Sequence, residues 1–387
     1  MADQEPADQY FKIEVTQRVF VNEADEVVFY SRRAVKKEKP RVVREKDLRE
    51  ALLILVDIVV AVIVPRRYWA HLCHFQAGAR LGKHARKNLA GFVESVSSVI
   101  GGAAKPQARA ALFRAGRDAR HRRIMLLAGE LTRLRWQPRI RLSGIDGLQA
   151  ALRRGNGVII WCNQFTAQNL MGKRALREAG ITCHQVSVSE HGFSNSAFAR
   201  RFLNPLLVRV ENRYLASRIV FDRGDAYQVT KRISAILKNN GVVLMTNNVY
   251  SGSTFVETRL GGSGHAQFAT TPLSFAARGG AALFSMSTFE IQPFETYDAV
   301  IGAEIQLLRS QKPGLGDERP SAKAFGTLAS AVLDFRDQFE ADLRRCPEQY
   351  LIWGRQAHSM VGSSQRHETD GWPPGDDFHG QSPLRRR

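Results

Sequence analysis

The chain has 387 residues, 44% of them hydrophobic, and carries 56 Lys and Arg against 37 Asp and Glu, a formal net charge of +19. That length and apolar content exclude a chain too small to bury a core and suit one large domain or two smaller ones. The positive excess points to an acidic partner: anionic lipid, nucleic acid or an acidic carrier protein.

Residues 10–30 alternate apolar and polar, as in Phe11-Lys12-Ile13-Glu14-Val15 and Val27-Val28-Phe29-Tyr30. Asn22-Glu23-Ala24-Asp25 between them reads as a turn, which predicts a hairpin. Residues 31–46 carry eight Lys or Arg, two acids and Pro40, the composition of an exposed linker. From Asp47 to Arg135 the pattern is helical, interrupted by Gly101-Gly102 and Pro106. Ala51 to Val64 is apolar except for Asp57, and Pro65 ends it. Its 14 residues fall short of the roughly 20 that a spanning helix needs. Lys46 and Arg49 precede it, and Arg66, Arg67, Tyr68 and Trp69 follow. Such flanks suit an interfacial helix, while the apolar run alone equally suits a buried core helix. Between Lys105 and Arg139 stand ten Lys or Arg and two acids, either a phosphate-gripping helix or a solvated helix face.

From Ile140 strands and helices alternate. Ile145–Arg154, Gly172–Ala179, Ala226–Lys238 and Pro272–Arg278 read as helices. Val158–Trp161, Thr182–Val188, Gly241–Thr246 and Ala281–Met286 read as strands. The expected fold is α/β: a mixed, largely parallel sheet flanked by helices, behind a helical N-terminal membrane-associating region. A further helix is expected at Ala322–Arg345, and the Gly-, Ser-, Pro- and charge-rich stretch from Val361 reads as disordered. The expected organisation is a hairpin and basic linker over 1–46, one domain over 47–360 that is helical to 135 and α/β beyond, and a tail over 361–387.

The four cysteines, Cys73, Cys162, Cys183 and Cys346, form no C-x-x-C pair and read as reduced thiols of a cytosol-facing protein. The polar, acidic start Ala2-Asp3-Gln4-Glu5 is unlike a signal peptide. Cys162 is a candidate thiol nucleophile, although a strand cysteine is more often an inert core residue. His71, Cys73 and His74 lack a second ligand pair, so no metal is expected. Gly261-Gly262-Ser263-Gly264 lacks the Lys-Ser/Thr ending of a phosphate loop, and no cofactor is expected.

Several segments, in order, resemble one family. Gly144-Ile145-Asp146-Gly147-Leu148, then Leu152-Arg153-Arg154-Gly155-Asn156-Gly157-Val158-Ile159-Ile160, is similar to the approach to the active site of the bacterial lipid A biosynthesis acyltransferases. These are the late lauroyl and myristoyl transferases of the lysophospholipid acyltransferase superfamily. Phe221-Asp222-Arg223-Gly224-Asp225 resembles their Asp-Arg-x-Asp element. Gly241-Val242-Val243-Leu244-Met245 resembles their next strand, and Gly261-Gly262 with Ala269-Thr270-Thr271-Pro272-Leu273 their glycine-ended loop and helix start. Pro347-Glu348-Gln349-Tyr350-Leu351-Ile352-Trp353-Gly354-Arg355 resembles their closing signature. The resemblance runs from about residue 50 to residue 355.

It implies acyl transfer from an acyl-carrier-protein thioester to a (glyco)lipid hydroxyl, at the cytoplasmic face of the inner membrane. It also implies a histidine base steadied by an acid five residues on. Gln164 and Asn169 stand at those two positions, and neither carboxamide can take a proton or carry charge at pH 7. The resemblance places Thr166, Arg223 and Asn248 at the substrate site, with Asn248 where the family has Asp. The basic residue expected after the second strand is missing from Val186-Ser187-Val188-Ser189. None of the ten histidines has an acid five positions on. Two readings follow: an impaired acyltransferase, or a non-catalytic relative that binds lipid or a partner enzyme. A nucleic-acid-binding reading rests on charge alone and finds no recognisable module.

Overall fold

A computed structural model describes residues 11–23, 25–34, 42–79, 83–101, 106–132, 136–188, 191–194, 196–221, 225–247, 253–307 and 322–353. The expected hairpin is present as β1 (Phe11–Phe20) and β2 (Glu26–Ala34). Its turn closes through Val21 N–H on the Asp25 carbonyl, and the Asn22 side chain accepts from Asp25 N–H at 2.9 Å. The helical region follows as α1 (Glu45–Ile63), α2 (Trp69–Ala79), α3 (Lys83–Ile100) and α4 (Pro106–Thr132). Gly101 and Pro106 act where the sequence places them: α3 stops just before Gly101, which sits at φ +75°, and Pro106 opens α4. Of the expected linker, residues 35–41 lie outside the described residues, as does the expected tail.

The α/β part continues with β3 (Arg139–Ser143), α5 (Ile145–Arg153), β4 (Val158–Cys162), α6 (Lys173–Glu178), β5 (Cys183–Val188), α7 (Asn204–Glu211) and β6 (Ser217–Phe221). Then come α8 (Ala226–Lys238), β7 (Val242–Thr246), β8 (Thr254–Leu260), β9 (Gly264–Ala269), α9 (Thr271–Gly279), β10 (Ala282–Gln292), β11 (Thr296–Ile305) and α10 (Ala322–Arg345). Seven strands form one sheet in the order β3-β11-β10-β4-β7-β5-β6. Only the β10–β11 joint is antiparallel. The expected mixed, largely parallel sheet flanked by helices is what forms.

β4 explains why such a sheet needs both faces covered. All five of its residues are buried. Val158, Ile160 and Cys162 pack with Leu148 and Ala151 of α5 and Ala175 and Leu176 of α6. Ile159 and Trp161 point the other way, into a core with Ile233 and Leu237 of α8, Leu273 of α9 and Phe335 and Phe339 of α10. Trp161 stacks on Phe335 with ring centroids 3.8 Å apart.

The structure adds elements that the pattern alone does not separate. The strand expected at Ala281–Met286 runs on to Gln292 and doubles back as β11. The glycine-ended loop is the tip of a β8–β9 hairpin. Gly261 sits there at φ +64°, and a Cβ would land on the Val99 carbonyl of α3. β2 pairs with β8, so the N-terminal hairpin completes a second sheet in the order β1-β2-β8-β9.

The apolar run on α1 is not a buried core helix. Leu53, Ile54, Asp57 and Ala61 face inward. Leu48, Leu52, Leu55, Val56, Val59, Val62 and Ile63 are 41–72% exposed and share an arc of about 120° at 3.6 residues per turn. Among the described residues no helix is long and apolar enough to cross a membrane.

Candidate functional site

Open α/β sheets bind ligands beyond the carboxyl ends of their strands, at the point where successive connections leave on opposite faces. That point lies here between β4 and β7. β4 leads to α6, whose Ala175 and Leu176 cover one face. Its neighbour β7 leads through the β8–β9 hairpin to α9, whose Leu273 and Ala276 cover the other. The segment 163–172 and Asn247 stand at this edge.

Five carboxamides occupy it: Asn163, Gln164, Gln168, Asn169 and Asn247, with Gln168 Oε1 accepting from Thr288 Oγ1 at 2.8 Å. Asn163 follows β4 directly and is fully buried; its Oδ1 accepts from Asn247 Nδ2 at 2.9 Å, across the switch point. Asn163 Nδ2 donates to Ser287 Oγ at 2.9 Å and reaches Asp342 Oδ2 at 3.4 Å. Ser287 Oγ donates to the same carboxylate oxygen, tying β4, β7, β10 and α10 together. Burial pushes the Asp342 carboxyl up to about 6, against the Ser287 and Asn163 hydrogen bonds and the nearby Arg345.

Gln164 is partly exposed. Its carbonyl accepts from Leu351 N–H at 3.0 Å, and Thr166 N–H donates to the Gln349 carbonyl at 2.9 Å. The closing signature therefore clamps the post-β4 turn. Gln349 extends the clamp to β10, donating to the Glu290 carbonyl at 2.8 Å and accepting from Glu290 N–H at 2.8 Å. Trp353 Nε1 donates to the Pro347 carbonyl at 2.6 Å, closing the turn on itself. Arg120 of α4 donates to the Leu351 carbonyl at 3.1 Å, so the basic helix touches this site.

Asn169 lies in a π-helical turn, Gln168–Gly172, before α6. It is 9% exposed, and its side chain has no hydrogen bond among the described residues. Gln164 and Asn169 stand on the same short β4–α6 connection, with no hydrogen bond between them. Thr166 is buried at 6% exposure. Arg223 and Asn248 lie outside the described residues. Cys162 is not placed as a nucleophile: it is 4% exposed, and burial pushes its thiol up to about 12, against the pull of Lys173. Cys73 is fully buried on α2 while His71 and His74 on the same helix are exposed, and no metal-ligating group of three occurs among the described residues. All four cysteines are free thiols.

One further histidine–carboxylate constellation is brought together only by the fold, not by a five-residue spacing. Glu211, at the end of α7, is fully buried and accepts from Lys173 Nζ at 2.8 Å and Arg218 Nη2 at 2.5 Å. His191 Nε2 lies 3.0 Å from the same carboxylate. A histidine–carboxylate couple thus exists beyond the carboxyl end of β5, two strands from β4 in the sheet. Its partners come from three separate segments, and no local spacing announces it. Burial pushes Glu211 up, but Lys173, His191 and Arg218 outweigh burial and hold its carboxyl well below the usual range.

No family model matches this chain, and no curated protein matches it.

Proposed function

We propose that the protein binds lipid at an anionic membrane surface, on a scaffold like that of the lipid A acyltransferases, with acyl transfer lost or slow. The observation that carries this reading is the carboxamide edge at the β4–β7 switch point. On the resemblance, Gln164 and Asn169 stand at the base and acid positions of acyl transfer to a hydroxyl, and no carboxamide of this edge accepts a proton at neutral pH. Losing a general base typically costs about 10²–10⁴-fold in rate.

The α1 face supports the membrane part. It offers aliphatic side chains to solvent, Arg66 and Arg67 follow it, and the Arg67 guanidinium lies 4.8 Å from the Tyr68 ring centroid. Basic and aromatic residues beside an apolar helical face suit peripheral binding to anionic lipid. The partners implied are a (glyco)lipid and an acidic acyl carrier protein, at the cytoplasmic face of an inner membrane. A second reading, slow transfer by another base, is favoured by the His191–Glu211 couple. Against it, Glu211 is shared with Lys173 and Arg218, which weakens its hold on an imidazolium.

One assay separates the readings: consumption of an acyl-carrier-protein thioester with and without a lipid acceptor. Binding without consumption supports a non-catalytic role. Slow consumption abolished by His191→Gln supports the second reading. Turnover near 10 s⁻¹, an ordinary enzyme rate, overturns the loss of chemistry.

A further inference from the structure

The exposed arc of α1 has a second apolar surface beside it. Ala199–Leu203 is a π-helical turn that leads into α7, within the run Phe198-Ala199-Arg200-Arg201-Phe202-Leu203. Its inner side chains, Phe198, Ala199 and Leu203, pack with Ala51, Ile54 and Ile58 of α1. Phe198 N–H donates to the Val42 carbonyl at 2.9 Å, which ties the turn to the residues that enter α1. Asn204 fixes it from the other end: its Oδ1 accepts from Phe193 N–H at 2.8 Å, and its Nδ2 donates to the Ser194 carbonyl at 2.8 Å. Phe202 stands out from this held turn. It is 58% exposed, its ring centroid lies 5.2 Å from that of Phe198, and Arg200 and Arg201 beside it are exposed.

At about 100° per residue, Ala51 and Ile58 border the exposed arc of α1 on the side where Val62 and Leu55 begin it. The turn therefore sits against one border of that arc, and Val42 and Val43 at the entry to α1 are exposed as well. A held aromatic ring left in water forgoes most of its burial energy, and beside arginines it suits the interface of an anionic bilayer. The same elements converge on the crevice. Ala61 of α1 and Leu207 and Val210 of α7 pack with Ala167, Leu170 and Met171 of the post-β4 turn. The apolar surface thus lies over the carboxyl edge of the sheet.

We infer that Phe202 is a second insertion point into an anionic bilayer, beside the α1 face, and that the two together set the carboxyl edge of the sheet toward the lipid. The inference rests on the membrane reading of α1 given above and does not involve acyl transfer. Charge argues for the occupant. A second copy of a chain carrying +19 would bring Arg200 and Arg201 against the same arginines across a two-fold contact, whereas anionic headgroups complement them.

The test uses the full-length protein and co-sedimentation with phosphatidylcholine vesicles, with and without phosphatidylglycerol, beside thermal melts. Phe202→Ser should lower partitioning about 4- to 20-fold, the share of one phenylalanine's burial that is still open, with an unchanged melt. Phe20→Ser, at a ring 69% exposed on β1, should change it less than about twofold. Arg201→Gln should lower binding to anionic vesicles about fivefold and leave neutral ones unchanged. Depth is read separately, and independently of whether Phe202→Ser folds, from Phe202→Cys carrying an environment-sensitive fluorophore. The label goes into a Cys346→Ser background, because the other three thiols are buried. On anionic vesicles it should shift to the blue and be quenched by nitroxide lipids. A label that stays in water while the protein is bound, or Phe202→Ser partitioning like wild type, overturns the second insertion point and leaves the α1 reading standing. An equal loss in Phe20→Ser overturns it as general stickiness. Lipid-free self-association that Phe202→Ser abolishes assigns the surface to a second copy and overturns it too. Wild type that binds neither kind of vesicle overturns both readings.

Discussion

Replacing Leu52 and Leu55 together by serine tests the proposed membrane binding of the exposed α1 face directly. The two side chains are 61% and 59% exposed, so most of each still remains to be buried. Fully burying a leucine stabilises by about 1.5–3 kcal/mol, so the remaining part is worth roughly 1–1.8 kcal/mol per residue and 2–3.5 kcal/mol for the pair. At 1.4 kcal/mol per decade, the vesicle partition coefficient should fall roughly 30- to 300-fold. Folding stability should change little. Neither side chain packs in the core, and serine costs only about half a kcal/mol in helix propensity at each site. The assay is co-sedimentation with neutral and anionic vesicles at low and high salt, beside a thermal melt of the free protein. High salt should weaken the contribution of Arg66 and Arg67 and leave the leucine effect in place. Unchanged partitioning, or equal recovery of the wild type from neutral and anionic vesicles at low salt, would refute the reasoning. So would a melting temperature that collapses in the double variant, because the leucines would then belong to the fold.

Gln164→His with Asn169→Glu should raise thioester consumption about 100-fold or more if the rest of the crevice is intact. Position 169 is buried, so a glutamate there ionises by pairing with the new histidine; no gain would mean that the substrate site has drifted as well. Asp342→Asn should stabilise the protein above pH 6, by as much as about 3 kcal/mol. The sign follows from a carboxyl raised from 3.8 to about 6, because the folded state binds the extra proton between those values. Stability attributable to this group is therefore full below pH 4 and lost as pH rises through 6. Urea melts of wild type and variant at pH 5 and pH 8 check it, and an equal difference at both would refute the assignment. Glu211→Gln should destabilise by about 3–5 kcal/mol, because it strands Lys173 and Arg218. A chemical melt within 1 kcal/mol of wild type would show that these cations are already paired elsewhere.

Much of the architecture was legible before any coordinates. α8 and α10 have the expected bounds, and β4, β5 and β7 begin and end within a residue of theirs. Continuous apolar runs between helices can only be strands buried on both faces, and turn residues mark their ends. The short strands β3 and β6 were not legible. Arg139-Ile140-Arg141-Leu142-Ser143 is half polar and lies at the sheet edge, where the apolar pattern is weakest. The β8–β9 hairpin was hidden by its glycine tip, which reads as a loop until Val99 is packed beneath it. The exposed face of α1 was undecidable as well, since apolarity does not reveal which side meets water.

What the sequence determined by itself is that Gln164 and Asn169 at the β4 edge offer no base: whatever surrounds them, a carboxamide does not titrate near neutral pH. It also determined the α/β texture, through local periodicity. The tertiary structure alone decided which charges meet. Lys173, His191, Glu211 and Arg218 come from separate segments and meet only through the fold. Charge pairing depends on distance in space and on burial, and neither is written in the order of residues along a chain.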